Sequence, residues 1–410
     1  MNIRINHNDI VKLLIIGAFG PYLVPSIGIK SYHFVLYTTS TILILYSTYR
    51  KSSLKIPHFI LPLIGSLIFC YISFMNNIDS VLLLRAIGSF ERIFAAIVVM
   101  ILVHNLRIVT GEDIASIEKF FAILMSINAL FAVCQVAGIN INIIQSLWIK
   151  SYEDSVSVKA SGLGRFCGLI NQPLEAGFSY GLALLGITHS YYFKRSKFSI
   201  VLGLIILVGG VLTVSKSFIL LSLPLFICCM FFVFTRSRFL YFCISLIVIS
   251  TLLFSVLKEY WLGFQYLQAY VDYAIAKDVV DFLTAGRFGG ESTDVTDLFS
   301  LVTYKSPLLG FGLGSTELMD NGYLEFYYQG GILALLGYLL FFIIYICNTF
   351  RVLRQKETFE VAFYYLLIVL IVLASVGGPV ITVNYVSIPL AIYFNYYYHL
   401  ARQPTKYLLC

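Results

Sequence analysis

Charge is what this sequence has least of. Asp, Glu, Lys and Arg make up 12% of its 410 residues, about half the ~25% of an ordinary soluble domain. A chain so poor in charge cannot cover itself with a water-facing surface, which excludes a soluble globular enzyme. The formal charge of +7 sits in short loops rather than on one basic face, so nucleic acid is not an expected partner. Cysteine is present but unpatterned. Cys70, Cys134, Cys228, Cys229, Cys243 and Cys347 fall in apolar runs, Cys167 lies near a helix start, and Cys410 ends the sequence. No CxxC and no metal-like Cys/His spacing occurs, so they read as small apolar fillers. No small-residue cleavage site follows MNIRINHNDIVK, so the first apolar run reads as a retained helix rather than a removed signal peptide. Internal repeats and low-complexity tracts are also missing.

What the chain has is hydrophobicity. Apolar residues make up 59% of it, and its mean hydropathy is +0.87. Apolar runs near the ~20 residues needed to cross a bilayer recur throughout. In lipid each backbone polar group needs an internal partner, so such runs are helices. The pattern predicts an all-α integral membrane protein with about twelve transmembrane helices, drawn at 10–29, 32–49, 57–75, 80–103, 119–139, 171–193, 198–214, 217–234, 239–257, 325–347, 359–376 and 381–399. Basic residues orient them. Arg50, Lys51 and Lys55 share one connection; Lys194, Arg195 and Lys197 another; Arg236 and Arg238 a third; Arg351, Arg354 and Lys356 a fourth. Arg402 and Lys406 follow the last run. With twelve helices all five groups share a side with Arg4 and Lys12, which the positive-inside rule makes the cytoplasm, with both termini there.

The other face carries two sizeable connections, about 140–170 and 258–324. A polar stretch as long as the second is usually functional. Three parts follow: helices over 1–257, a large exoplasmic loop over 258–324, and the last three helices with a cytoplasmic tail over 325–410. The loop's first half, KEYWLGFQYLQAYVDYAIAKDVVDFL, suits an amphipathic helix lying on the membrane surface. Its second half, rich in Gly, Ser, Thr and Asp, reads as an irregular ordered segment.

Charges near hydrocarbon are site candidates. Arg165 (SGLGRFCGLINQP) stands among glycines before Asn171-Gln172-Pro173, with Glu175 expected about two turns inside the following helix. Lys216 (TVSKSF) occupies a short exoplasmic turn, either snorkelling to headgroups or aimed at an anion. Arg287 (TAGRFGGEST) is again flanked by glycine, either as a solvated loop residue or as part of a site. These three cations lie where the positive-inside rule disfavours them, and a diphosphate at the membrane surface would suit them. Arg85 and Arg92 share a face of the fourth run with Gly88, which should open that face toward the bundle. With Glu91 on the same run, this group reads as a structural Glu–Arg pair with another helix or as a wall of a substrate cavity. Asp320-Asn321 precedes the tenth run, where Asp320 is either a helix cap or a reactive carboxylate. GFGLG alone, with no βαβ unit around it, is a weak phosphate-loop signal.

The layout and sparse motifs resemble the O-antigen polymerase (Wzy) family, within the O-antigen ligase/polymerase superfamily of bacterial envelope enzymes. The likeness rests on "GxG…DNxYLxxxxxxG" in LLGFGLGSTELMDNGYLEFYYQGG (residues 308–331), on Arg165 before Asn171 and Pro173, on the turn TVSKS, and on Arg287. The motifs cover about a tenth of the chain. Two departures matter: the superfamily's turn usually carries arginine where Lys216 stands, and the ligase branch has histidine where Asp320 stands. All six histidines (His7, His33, His58, His104, His189, His399) lie outside the large loop. Both departures favour polymerase over ligase.

The resemblance implies a glycosyltransferase fold-C-like enzyme of the bacterial inner membrane, with its active face periplasmic and with no metal or cofactor. Its substrate as donor and acceptor would be undecaprenyl-diphosphate-linked glycan. Membrane lipid, a chain-length regulator and a flippase are the implied partners. Asp320 would then be the catalytic base. Arg165, Lys216 and Arg287 would stabilise the leaving diphosphate, and Asn321, Tyr323, Arg85 and Arg92 would line the substrate site. Competing expectations are a ligase transferring glycan to lipid A-core, a lipid-linked oligosaccharide flippase, and a non-catalytic scaffold.

Overall fold

The computed structural model describes residues 7–24, 29–49, 53–106, 110–139, 141–148, 156–266, 268, 272, 293–315, 321–350 and 358–402. Asp320 and Arg287 lie outside them. The described chain is mostly helical, with one small ribbon and irregular stretches such as 163–172 and 306–315. Among its helices five are long and apolar enough to cross a membrane: His58–Asn76, Leu83–Leu106, Gly111–Val136, Gly322–Thr349 and Phe359–Gly377. Two shorter apolar helices are Lys197–Leu212 and Ser217–Val233.

The first run departs from expectation. Helix α1 (His7–Phe19) stops before Gly20-Pro21, because proline lacks an N–H and disfavours a helical residue before it. The chain then forms an antiparallel ribbon, β1 (Tyr22–Val24) with β2 (Ile29–Lys30), which sets Tyr22 opposite Lys30. Helix α2 (Ser31–Tyr49) follows directly, then α3 (Leu61–Asn76), α4 (Leu83–Leu106) and α5 (Gly111–Val136). Thr110 caps α5, its hydroxyl accepting from the Asp113 N–H at 3.1 Å.

The 140–170 connection holds two short helices, α6 (Asn142–Trp148) and α7 (Val156–Gly162). Helix α8 (Pro173–Lys194) begins at a proline, whose missing N–H costs nothing at a first-turn position. Helix α8 is buried on nearly every face from Ala176 to Ser190, as a helix in the middle of a bundle must be. Helices α9 (Lys197–Leu212), α10 (Leu223–Val233) and α11 (Arg236–Tyr260) follow, with one π-helical turn over Ser217–Ser222 leading into α10.

Within 258–324 the structure corrects the expected irregular second half, because Thr293–Lys305 is a helix, α12. Val295, Leu298, Phe299 and Val302 recur at the i, i+3, i+4, i+7 spacing of an amphipathic helix. Val302 is fully buried. Helices α13 (Gly322–Thr349), α14 (Thr358–Gly377) and α15 (Asn384–Arg402) complete the order.

The most extensive helix pairing is α3 with α13. It is built on small residues: a Cβ on Gly330 or Gly337 would run into Cys70 or Ser66, and Ser66 donates to the Ala334 carbonyl at 2.8 Å. Close backbone approach of this kind is how helices associate in lipid. Contacts between elements mark two ends of the bundle. At one, the strip 307–315 lies against the starts of α4 and α13. At the other, the His7 ring meets the Leu106 carbonyl at 2.6 Å, joining the start of α1 to the end of α4.

Candidate functional site

At the first end α13 is interrupted. Gly331 adopts φ 64°, ψ −163°, so the helix breaks one residue after Gly330. A break frees carbonyls that need new donors. The glycine-rich strip supplies them, with Phe311 N–H donating to the Tyr328 carbonyl at 2.8 Å and Gly312 N–H to Gln329 at 2.9 Å. Gly310, Gly312 and Gly314 all have positive φ and lie against backbone of α13, α3 and α4 respectively. The GFGLG passage is therefore a backbone splice into a broken helix.

The first turn of α13 is capped by Asn321, whose Oδ1 accepts from the N–H groups of Tyr323 (3.0 Å) and Leu324 (3.1 Å). Asn321 thus holds the N-cap position, and the cap or base role weighed for Asp320 lies outside the described residues. One turn on, buried Glu325 forms an ion pair with Arg92 of α4 and accepts from Gln329 at 3.1 Å. Arg92 is therefore paired with an acid on another helix. The pair is left incomplete: Nη1 of Arg92 and Oε2 of Glu325 are buried without a hydrogen-bond partner among the described residues.

Two more charged groups stand nearby. Glu175 lies in the first turn of α8, closer to the helix start than the sequence suggested, because the helix begins only at Pro173. Its carboxylate interacts electrostatically with Lys30 and Arg92. Lys30 donates to the Tyr385 hydroxyl at 3.3 Å and stands 4.8 Å and 4.7 Å from the ring centres of Tyr22 and Tyr385. Burial pushes the Tyr22 phenol above its ordinary value, against the opposing pull of Lys30.

Arg165 adjoins this group. Its guanidinium lies 5.1 Å from the Tyr266 ring centre, a cation–π contact. Its Nε is buried without a partner among the described residues, as is Oδ1 of Asn171. Trp261 pins the same loop by donating to the Gly164 carbonyl at 2.8 Å. Asn128 fixes the next residues, donating to the Cys167 carbonyl (3.0 Å) and accepting from the Leu169 N–H (2.8 Å). Burial pushes the Cys167 thiol up to about 12, although Arg165 pulls the other way. Cys167 interacts with both Arg165 and Glu175, so these charges share one neighbourhood.

Lys216 stands in the turn between α9 and the π-helical segment. That turn packs on the first turns of α8: Ser217 donates to the Leu174 carbonyl at 3.4 Å, and a Cβ on Gly177 would strike Ser215. Val214 holds φ 44° there, an uncommon conformation for a β-branched residue and one that tends to occur at functional sites.

Of the other expected residues, Arg85 is exposed at the start of α4, and Gly88 faces open space rather than a packed neighbour. The Tyr323 hydroxyl donates to the Val372 carbonyl at 2.9 Å, so it ties α13 to α14. Tyr327 bonds Thr303 of α12 at 2.9 Å, and Tyr328 packs on Phe311 at 5.0 Å between ring centres.

The structure thus groups Arg92, Arg165, Lys216 and Asn321 around the starts of α8 and α13, and adds Lys30, Glu175, Glu325 and Gln329. Glu325 and Gln329 were missed although both fall inside the quoted passage, and their four-residue spacing on a helix was the available signal. What the arrangement offers is a low-dielectric site of both charge signs with donors and acceptors left open. Such a site can bind a polar ligand and stabilise charge that develops on it. No protein family matches the chain, and no curated protein matches it.

Proposed function

We propose that the chain is a membrane glycosyltransferase of the O-antigen polymerase kind, which joins undecaprenyl-diphosphate-linked oligosaccharide repeat units into a surface polysaccharide. The supporting observation is the incomplete Arg92–Glu325 pair, formed by the acid that closes the DNGYLE passage, with Nη1 and Oε2 buried and unpartnered among the described residues. Buried polar atoms are normally satisfied, and exceptions call for a ligand or a reaction. In this reading about twelve helices cross the bacterial inner membrane, both termini are cytoplasmic, and the end holding the strip 307–315 faces the periplasm.

The reaction transfers the growing glycan from its lipid diphosphate to a sugar hydroxyl of a second lipid-linked unit. The hydroxyl oxygen bonds to the anomeric carbon, the carbon–oxygen bond to the diphosphate breaks, and the diphosphate leaves with the electron pair. Asp320, next to the capping Asn321, takes the hydroxyl proton. Arg165, Lys216 and Arg287 carry the charge developing on the leaving diphosphate. Arg92, Glu325 and Gln329 hold sugar hydroxyls, since together they offer donors and acceptors in one place.

Surface polysaccharide from a strain deleted for this gene, separated on a gel, tests the reading. Loss of a polymerase leaves single repeat units on the core. No repeat units at all would indicate a ligase, and failure of export a flippase; either result overturns the proposal. Complementation with Asp320→Asn should leave single units, and a restored long-chain ladder would remove Asp320 from the base role.

A further inference from the structure

A groove of about 690 Å³ runs between α2 and α3 along one face of α4. Leu43, Ile64, Phe94, Val98 and Ile101 are among its walls, and among the described residues Ser40 and Tyr71 are the lining residues with a polar side-chain atom. Ile44, Ile68 and Phe94 on its rim are exposed. Since α3 and α4 are long and apolar enough to cross a membrane, the rim faces hydrocarbon. The lining of α4 from Phe90 to Ile101 spans about 17 Å, close to the ~15 Å depth of one leaflet.

The groove is unlike at its two ends. Toward the candidate site a cluster of rings gathers, with Phe90 on Phe94 at 5.6 Å, Tyr37 on Phe94 at 6.4 Å and Tyr71 on Phe90 at 6.3 Å. Beside them lies the carboxylate of Glu91, held by His33 at 3.0 Å and by the Tyr37 hydroxyl at 3.2 Å. A phosphate would be repelled there. At the far end the lining includes Leu54, and the next residue is exposed Lys55. The Lys55 backbone is fastened to Asn105 of α4 by two hydrogen bonds of 3.0 Å. Arg50 and Lys51, in the same connection, lie outside the described residues.

We infer that this groove binds one acyl chain of an anionic phospholipid, with the headgroup at Lys55. The chain enters from the basic end and stops at the ring cluster. This lipid is distinct from any substrate of the candidate site. At 100° per residue, Ile101 lies about 180° around α4 from Arg92, and Phe94 about 160°. The groove and the ion pair thus occupy opposite faces of one helix, and the inference stands independently of the proposed activity.

The test uses the full chain, stripped of lipid in mild detergent and titrated with phosphatidylglycerol or phosphatidylcholine under native mass spectrometry. Wild type should retain one phosphatidylglycerol in preference to phosphatidylcholine. Val98→Trp, which fills the groove, should lose it. Lys55→Gln should lower retention about fivefold, the effect of one basic side chain near an anionic headgroup. Equal retention of the two lipids overturns the inference, as does unchanged retention in Lys55→Gln, a change at an exposed side chain that decides the matter even if Val98→Trp does not fold. Preferential uptake of an isoprenyl phosphate in this groove overturns it as well.

Discussion

The molecule buries two charge clusters at opposite ends of the same bundle, and they are finished to different degrees. At the end where α4 and α8 terminate, His189 of α8 lies between Glu118 of α5 (2.8 Å) and Glu360 of α14 (3.4 Å). Tyr393 donates to Glu118 at 2.9 Å, while Tyr396 and Tyr397 donate to Glu360 at 3.4 Å and 3.2 Å. Each carboxylate oxygen and both ring nitrogens are thereby engaged, and Phe363 closes over the imidazole at 4.3 Å between ring centres. A network so complete ties four helices together and leaves nothing for a ligand. At the other end Arg92, Glu325, Arg165 and Asn171 each keep a buried atom without a partner among the described residues. The same low dielectric that strengthens the first cluster makes the second costly in isolation. Completed networks serve structure; an incomplete one is tolerated where something else completes it.

The largest effect should separate the two clusters by activity. Replacing both members of a buried ion pair with apolar residues of similar size is often neutral or stabilising. Arg92→Met with Glu325→Leu should therefore keep the unfolding midpoint of the purified protein at or above the wild-type value. Under the proposed function, polymerisation of a lipid-linked repeat unit should fall about 10²–10³-fold, the scale of losing hydrogen bonds from two charged side chains that hold sugar hydroxyls. A double variant that still polymerises at the wild-type rate would make this cluster structural too, and the contrast would collapse.

The second effect concerns stability. His189→Leu strands two buried carboxylates, and removing one partner from such a cluster costs about 3–5 kcal/mol. Denaturant or thermal unfolding in detergent should show that loss, while activity per folded molecule stays near the wild-type level. If instead activity vanished with stability intact, the complete cluster would have a function that its geometry does not suggest.

How much of this could be read from the sequence differs between the two ends for physical reasons. Helical class, the five long apolar helices and the proline start of α8 follow from composition and local rules. Lys30 escaped notice because the run 10–29 looked like one helix, although Gly20-Pro21 marks its end. Glu325 was overlooked because an acid one turn into an apolar helix finds its meaning only in a partner 233 positions away on another helix. Glu118 and Glu360 escaped for a related reason. Glu360 stands in the first turn of α14, where the helix dipole is an adequate local explanation, and Glu118 stands eight residues into α5 with no local signal that points to His189.

The smallest effect tests whether the incomplete cluster depends on how α13 begins. Asn321 satisfies two N–H groups of the first turn, and replacing such a cap by alanine costs about 1 kcal/mol. Asn321→Ala should lower stability by that amount and polymerisation by less than about tenfold, since fraying one turn loosens Glu325 without removing it. Asn321→Asp keeps an accepting oxygen at the cap and, by its charge, suits a helix N-terminus. It should therefore recover both properties if Asn321 acts only through the helix. Should Asn321→Ala abolish polymerisation while Asn321→Asp restores stability alone, the amide itself meets the substrate, and the ligand contacts of this end extend from Arg92 and Glu325 up to the cap.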